Sequence, residues 1–85
     1  MNSLDGIKLK IRTLYQTDPH IRINVALTKP KIFLQNEQVL IKGVYPHIFQ
    51  IEEKSGGSPK THTLQYGDVL TGHIEILDGD GNKAV

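Results

Sequence analysis

Eighty-five residues with a formal net charge of +1 and no cysteine are enough for one core, which excludes disulfides, thiolate metal centres and a second lobe closing over a deep cleft. The apolar segments are short and broken by charges, far below the roughly 20 residues that a membrane helix needs, and no secretory apolar region opens the chain. The expectation is one soluble cytoplasmic domain over 1–85, without cofactor, metal or membrane contact. Charge is unevenly distributed: up to Pro46 there are seven cations and three anions, and after it three cations and six anions. Such polarity suits an anionic partner on one side or head-to-tail self-association.

In chain order, Ser3 is placed to cap a helix over 3–16. Leu4, Ile7, Ile11, Leu14 and Tyr15 fall at 3.6-residue spacing, with Lys8 and Arg12 assigned to the opposite face. A strand with Ile7, Leu9 and Ile11 on one face competes, but the helix accounts for more apolar residues. Asp18-Pro19 ends it. The barrel segment, 20–77, begins where the period changes to two. Ile21, Ile23, Val25 and Leu27 share one face, and Arg22, Asn24, Ala26 and Thr28 the other. Lys29-Pro30-Lys31 interrupts the pattern. Ile32-Phe33-Leu34 then reads as a short strand, followed by a polar connection over Gln35-Asn36-Glu37-Gln38.

The next strand carries Val39 and Ile41, and Gly43 marks a bulge or a close backbone approach. Tyr45-Pro46 is a corner, because proline cannot donate to a ladder and forces an extended conformation on the residue before it. Phe49 and Ile51 turn inward beyond it, alternating with Gln50 and Glu52. A Ser55-Gly56-Gly57-Ser58-Pro59 tip leads into a paired strand with His62, Leu64 and Tyr66 on one face. Asp68 is the expected cap of a single helical turn that carries Val69 and Leu70 into the core. A last strand with Ile74 and Ile76 inward precedes a polar tail over 78–85, expected to fray. The fold class is mainly β: a small SH3-like or Sm-like barrel of about five strands, with a short N-terminal helix and a helical turn before the last strand.

Two stretches, Gly43-Val-Tyr-Pro-His-Ile-Phe-Gln-Ile51 and Tyr66-Gly-Asp-Val-Leu-Thr71, resemble the signatures of the Veg family of Gram-positive bacteria. There, a Tyr-Pro-x-(Val/Leu)-Phe corner is followed, after a variable hairpin, by a Tyr-x-Asp-(Val/Ile)-Leu-Thr turn. The match covers roughly the C-terminal half, and Ser3 to Lys31 is similar to the family's order of helix, strand and basic hairpin. The resemblance implies an SH3-like barrel and stimulation of biofilm formation through matrix-gene transcription, by action on a DNA-binding repressor. Tyr45, Pro46, Phe49, Tyr66, Asp68, Val69, Leu70 and Thr71 correspond to the signatures. The residues themselves give these positions architectural work as corner, core and turn cap.

No residue pattern points to catalysis. Ser3, Ser55 and Ser58 lie near the terminus or on a flexible tip, and His20, His47, His62 and His73 lack short ligand spacing. Glu52 and Glu53, adjacent on a strand, point to opposite faces. Asp78-Gly-Asp80-Gly-Asn82 begins like a calcium loop, but Lys83 replaces the turn glycine and the sequence stops before a twelfth position. Two non-catalytic readings remain. One is a module that docks a regulatory protein through an edge or groove near Tyr45 and Tyr15. The other is a nucleic-acid contact through a basic face of Arg22, Lys29, Lys31 and Lys42, disfavoured by the scarcity of exposed aromatics. The opposite charges of the two halves also leave a homodimer open.

Overall fold

The computed structural model describes residues 3–29, 31–53 and 57–85. They form α1 (Ser3–Thr17), β1 (His20–Thr28), β2 (Lys31–Val44), β3 (Ile48–Glu53), β4 (Lys60–Gln65), α2 (Tyr66–Leu70) and β5 (Ile74–Leu77). All five strands belong to one antiparallel sheet in the order β4-β3-β2-β1-β5. The expected mainly β class, with a helix before the sheet and a helical turn before the last strand, is therefore the fold. β4 and β5 are the sheet margins and α2 connects them. Among the described residues no ladder joins the two margins directly.

Alternation builds β1 as expected, with Ile21, Ile23 and Val25 buried and Leu27 partly so. β2 departs from expectation. Lys31–Val44 is one strand of 14 residues, and the polar Gln35 to Gln38 segment runs inside it instead of linking two strands. Two bulges make this length compatible with a bent sheet. At the first, the register passes from Ile23↔Glu37 to Val25↔Leu34, leaving one extra residue on β2. Asn36 takes φ 49 there and donates its N–H to Asn24 Oδ1 at 2.6 Å. Asparagine tolerates this left-handed conformation better than most residues, so a polar run is what the bend requires. At the second, between Ile41 and Gly43, Lys42 is the extra residue, which places a bulge where Gly43 led us to expect one.

α1 ends one residue beyond the expected 3–16 range, and the side chain of Ser3 lies outside the described residues. It packs against β2 and α2, burying Ile11 completely while Leu4, Ile7 and Leu14 close over the core. Lys8 is not on the far face. Its position, three residues before Ile11, keeps it beside the buried stripe, and its ammonium sits over the Tyr66 ring, 5.6 Å from the centroid. Pro19 carries the chain from α1 into the sheet, and its carbonyl accepts the Ile41 N–H at 2.9 Å.

β3 and β4 pair from Ile48↔Gln65 to Glu53↔Lys60, the hairpin expected around the glycine tip, whose residues 54–56 lie outside the described set. α2 corrects the expected cap. Gln65 occupies the cap position without a side-chain bond, Asp68 lies within the first turn, and Leu70 is 52% exposed instead of buried. Tyr66 supplies the core residue that Leu70 does not, because the turn begins three residues earlier, with Gln65 and not Asp68 at the cap. Gly72 ends α2 at φ 88, a conformation a side chain would strain.

The segment 78–85, expected to fray, folds back on β5. Asp78 Oδ1 accepts the N–H groups of Asp80 and Asn82 at 2.9 and 3.0 Å, Leu77 bridges to Lys83, and Ala84 donates to the Ile76 carbonyl at 2.9 Å. Ala84 and Val85 thereby reach the edge of the core. The carboxylate that opens an apparent calcium loop is thus an intrachain turn clamp. Asp78→Ala should accelerate amide exchange at Ala84 by about tenfold, as expected for losing hydrogen bonds to a charged acceptor, while leaving Ile23 unchanged. Equal protection at Ala84 in both proteins would contradict the clamp.

Candidate functional site

Among the described residues the buried set is apolar apart from the Tyr66 hydroxyl, and no charged side chain is enclosed. Any site built from them lies on the surface, and two surfaces stand out. The first forms where the two signature stretches meet. Tyr45, Pro46 and His47 turn the chain from β2 into β3, with the Tyr45 N–H donating to the Ile48 carbonyl at 2.9 Å. Tyr66 stacks on Phe49 with ring centroids 5.4 Å apart and donates its hydroxyl proton to the Tyr45 carbonyl at 2.6 Å. Corner and turn are therefore one unit. Phe49 and Tyr66 are core, and Thr71 caps α2 by donating to the Asp68 carbonyl.

Outside this unit the Tyr45 ring lies against Gly43. A Cβ there would come 2.7 Å from the phenol oxygen, so the missing side chain is what lets the ring settle on the bulge. Tyr45 remains 47% exposed. Lys8 and Arg12 approach Tyr66 from α1, and Tyr15, one turn beyond Ile11, is 41% exposed. Half-exposed Tyr45 and two cations thus border one buried aromatic pair, and tyrosine and arginine are enriched in protein–protein contacts.

The second surface is the outer face of β2, β1 and β5. The four cations read as one basic face do not form one. Lys29 and Lys31 flank the β1–β2 turn, Arg22 lies further along the outer face of β1, and Lys42 stands at the other end of β2, roughly 35 Å of strand away from Lys31. Lys42 is also paired, 3.4 Å from Glu52. Phe33, overlooked within an apolar run, is 72% exposed. Alternation carried it there: Ile32 points inward, so Phe33 opposite Ala26 must point out. It walls an open cleft of about 350 Å³ with Asn24, Gln35, His73 and Glu75. Asn24 Nδ2 donates to Glu75 Oε1 at 3.1 Å while Asn24 Oδ1 holds the first bulge.

The histidines and carboxylates singled out in the sequence have separate settings. His62 Nε2 lies 3.0 Å from Glu53 Oε2, His73 Nδ1 lies 2.7 Å from Thr71 Oγ1, and His20 and His47 are exposed. Glu52 and Glu53 serve different partners. Among the described residues no group of three metal-ligating side chains converges, and no helix is long and apolar enough to cross a membrane.

Burial pushes the Tyr66 phenol above its ordinary pKa, against an opposing pull from the Arg12 guanidinium. A raised acid pKa means the fold favours the protonated phenol, a contribution complete below about pH 10, the ordinary value, and lost as pH climbs through the folded value. Tyr66→Phe should therefore cost about 1–2 kcal/mol near neutrality, with the Tyr45 carbonyl losing its donor, and should flatten the alkaline fall in stability. Denaturant midpoints from pH 7 to 11 check both, and parallel curves for the two proteins would refute the assignment.

Comparison with curated proteins and with solved structures gives no match. A protein-family model, described as biofilm formation stimulator VEG, matches residues 2–77 and so takes in α1 and all five strands. The resemblance first carried by the Tyr45-Pro46 corner and the Tyr66 to Thr71 turn thus extends through the N-terminal half, and the chain belongs to the VEG family.

Proposed function

We propose that this chain stimulates biofilm formation as a non-catalytic cytoplasmic module that docks a DNA-binding transcriptional repressor and relieves repression of matrix genes. Membership of the VEG family supports the stimulatory role. The observation that carries the docking mode is the exposed Tyr45 near Lys8 and Arg12, set on the unit where the two signature stretches lock together, with exposed Tyr15 further along α1. Tyrosine offers large contact area at low entropic cost, and flanking cations favour an acidic partner surface. Contact at this surface needs no reacting group, which suits a role exercised by binding. The side of β4 away from β3, which carries no partner strand among the described residues, offers a second mode of engagement by strand addition.

The test is a mobility-shift assay in which the purified chain is titrated into a repressor–operator complex from a biofilm-forming host. Wild-type chain should release operator DNA. Tyr45→Ala combined with Arg12→Glu, both at solvent-exposed positions, should raise the required concentration by about tenfold or more, the scale of a central contact. Undiminished release by the double variant would move the docking surface elsewhere, and no release by wild-type chain would remove the repressor from the account.

A further inference from the structure

We infer that the outer face of β1, β2 and β5 is a binding site for single-stranded nucleic acid, with one base stacked on Phe33. Its first support is the aromatic ring itself. Phe33 is 72% exposed near the β1–β2 turn, opposite Ala26, so a large apolar ring stands in solvent on the outer face beside a cleft. The cleft it walls, about 350 Å³, is at the small end of ligand clefts, which run roughly 300–1,000 Å³, and admits one planar ring.

Charge and polar lining point to the same ligand. Arg22, Lys31 and, at the turn, Lys29 spread along roughly 20 Å of this face, and none of the three forms an ion pair among the described residues. In the cleft itself stands a carboxylate, Glu75, which is held by Asn24, and Asp78 follows the Leu77 that pairs with Arg22. Lys31 beside the ring, with Lys29 and Arg22 further along the same face, suits a phosphate backbone with an unstacked base. Asn24 is fixed by the bulge and Glu75 by Asn24, so the cleft presents an oriented carboxylate and, from Gln35, an amide to the edge of that base. A duplex cannot splay a base into such a cleft. This face lies at the opposite end of β2 from Tyr45 and is independent of the protein-docking surface.

Anisotropy titration with fluorescein-labelled single-stranded RNA and DNA of about ten nucleotides, alongside a duplex of the same length, tests the site. Single strands should bind saturably and more tightly than duplex. Phe33→Ala should weaken them by roughly tenfold or more, and Phe33→Trp should retain binding. Lys31→Gln should reduce the slope of log affinity against log salt by about 0.7, one phosphate contact. The Tyr45→Ala, Arg12→Glu chain should bind as wild type does, which separates this site from the docking surface. Absence of saturable binding at low salt would overturn the proposal. So would equal affinity for duplex, unchanged binding by a Phe33→Ala chain with a native amide spectrum, or a Phe33 requirement seen only in release of the repressor.

Discussion

The hydrogen bond from Tyr66 to the Tyr45 carbonyl, made by a ring that stacks on Phe49, is the constraint on which the architecture turns. β4 and β5 share no ladder among the described residues, so the path between them must be fixed by something other than strand pairing. Tyr66 is the first residue of that path. Its ring is in the core and its hydroxyl is tied to the corner two strands away, which sets where α2 starts and therefore where β5 meets β1. A phenol suits this position because one side chain supplies both apolar area and a donor for a carbonyl at the corner.

β2 distributes the consequences. It pairs with β1 along its first part and with β3 along its last, so one strand carries both candidate surfaces at its two ends. The Asn36 bulge serves the Phe33 face, since Asn24 holds the bulge with its oxygen and Glu75 with its nitrogen. The Gly43 bulge serves the Tyr45 face, since the glycine gives the ring room. Irregularities in the ladder and functional surface coincide at both ends, as is common where a bulge re-aims side chains. Each surface thus rests on backbone geometry that a single substitution can alter without emptying the core.

Membership of the VEG family joins a cellular role to this architecture. Among the described residues the interior holds no charged group, and the polar side chains that do cluster are spent on turns and bulges, as Asp78, Asn24 and Thr71 are. What remains available to a partner is exposed aromatic and cationic surface.

Periodicity in the sequence determined the element types, the inward faces of β1, β3 and β5, and the corner at Tyr45-Pro46, because alternation and proline act on nearest neighbours. It also exposed the two signatures, whose residues are contiguous. Only the tertiary structure decided that Gln35 to Gln38 runs inside a strand, that Lys8 covers Tyr66, that Leu70 faces solvent and that 78–85 returns to the sheet. The candidate surfaces were legible in part: Tyr45, Tyr15, Arg22, Lys29 and Lys31 were named, but Lys8 and Arg12 were assigned to the far face of α1, and Phe33, Asn24 and Glu75 were not grouped. Each of these outcomes depends on a partner distant in the chain, such as Asn24 for Asn36 or Ile76 for Ala84, and local pattern carries no information about which distant backbone group will come within hydrogen-bonding reach.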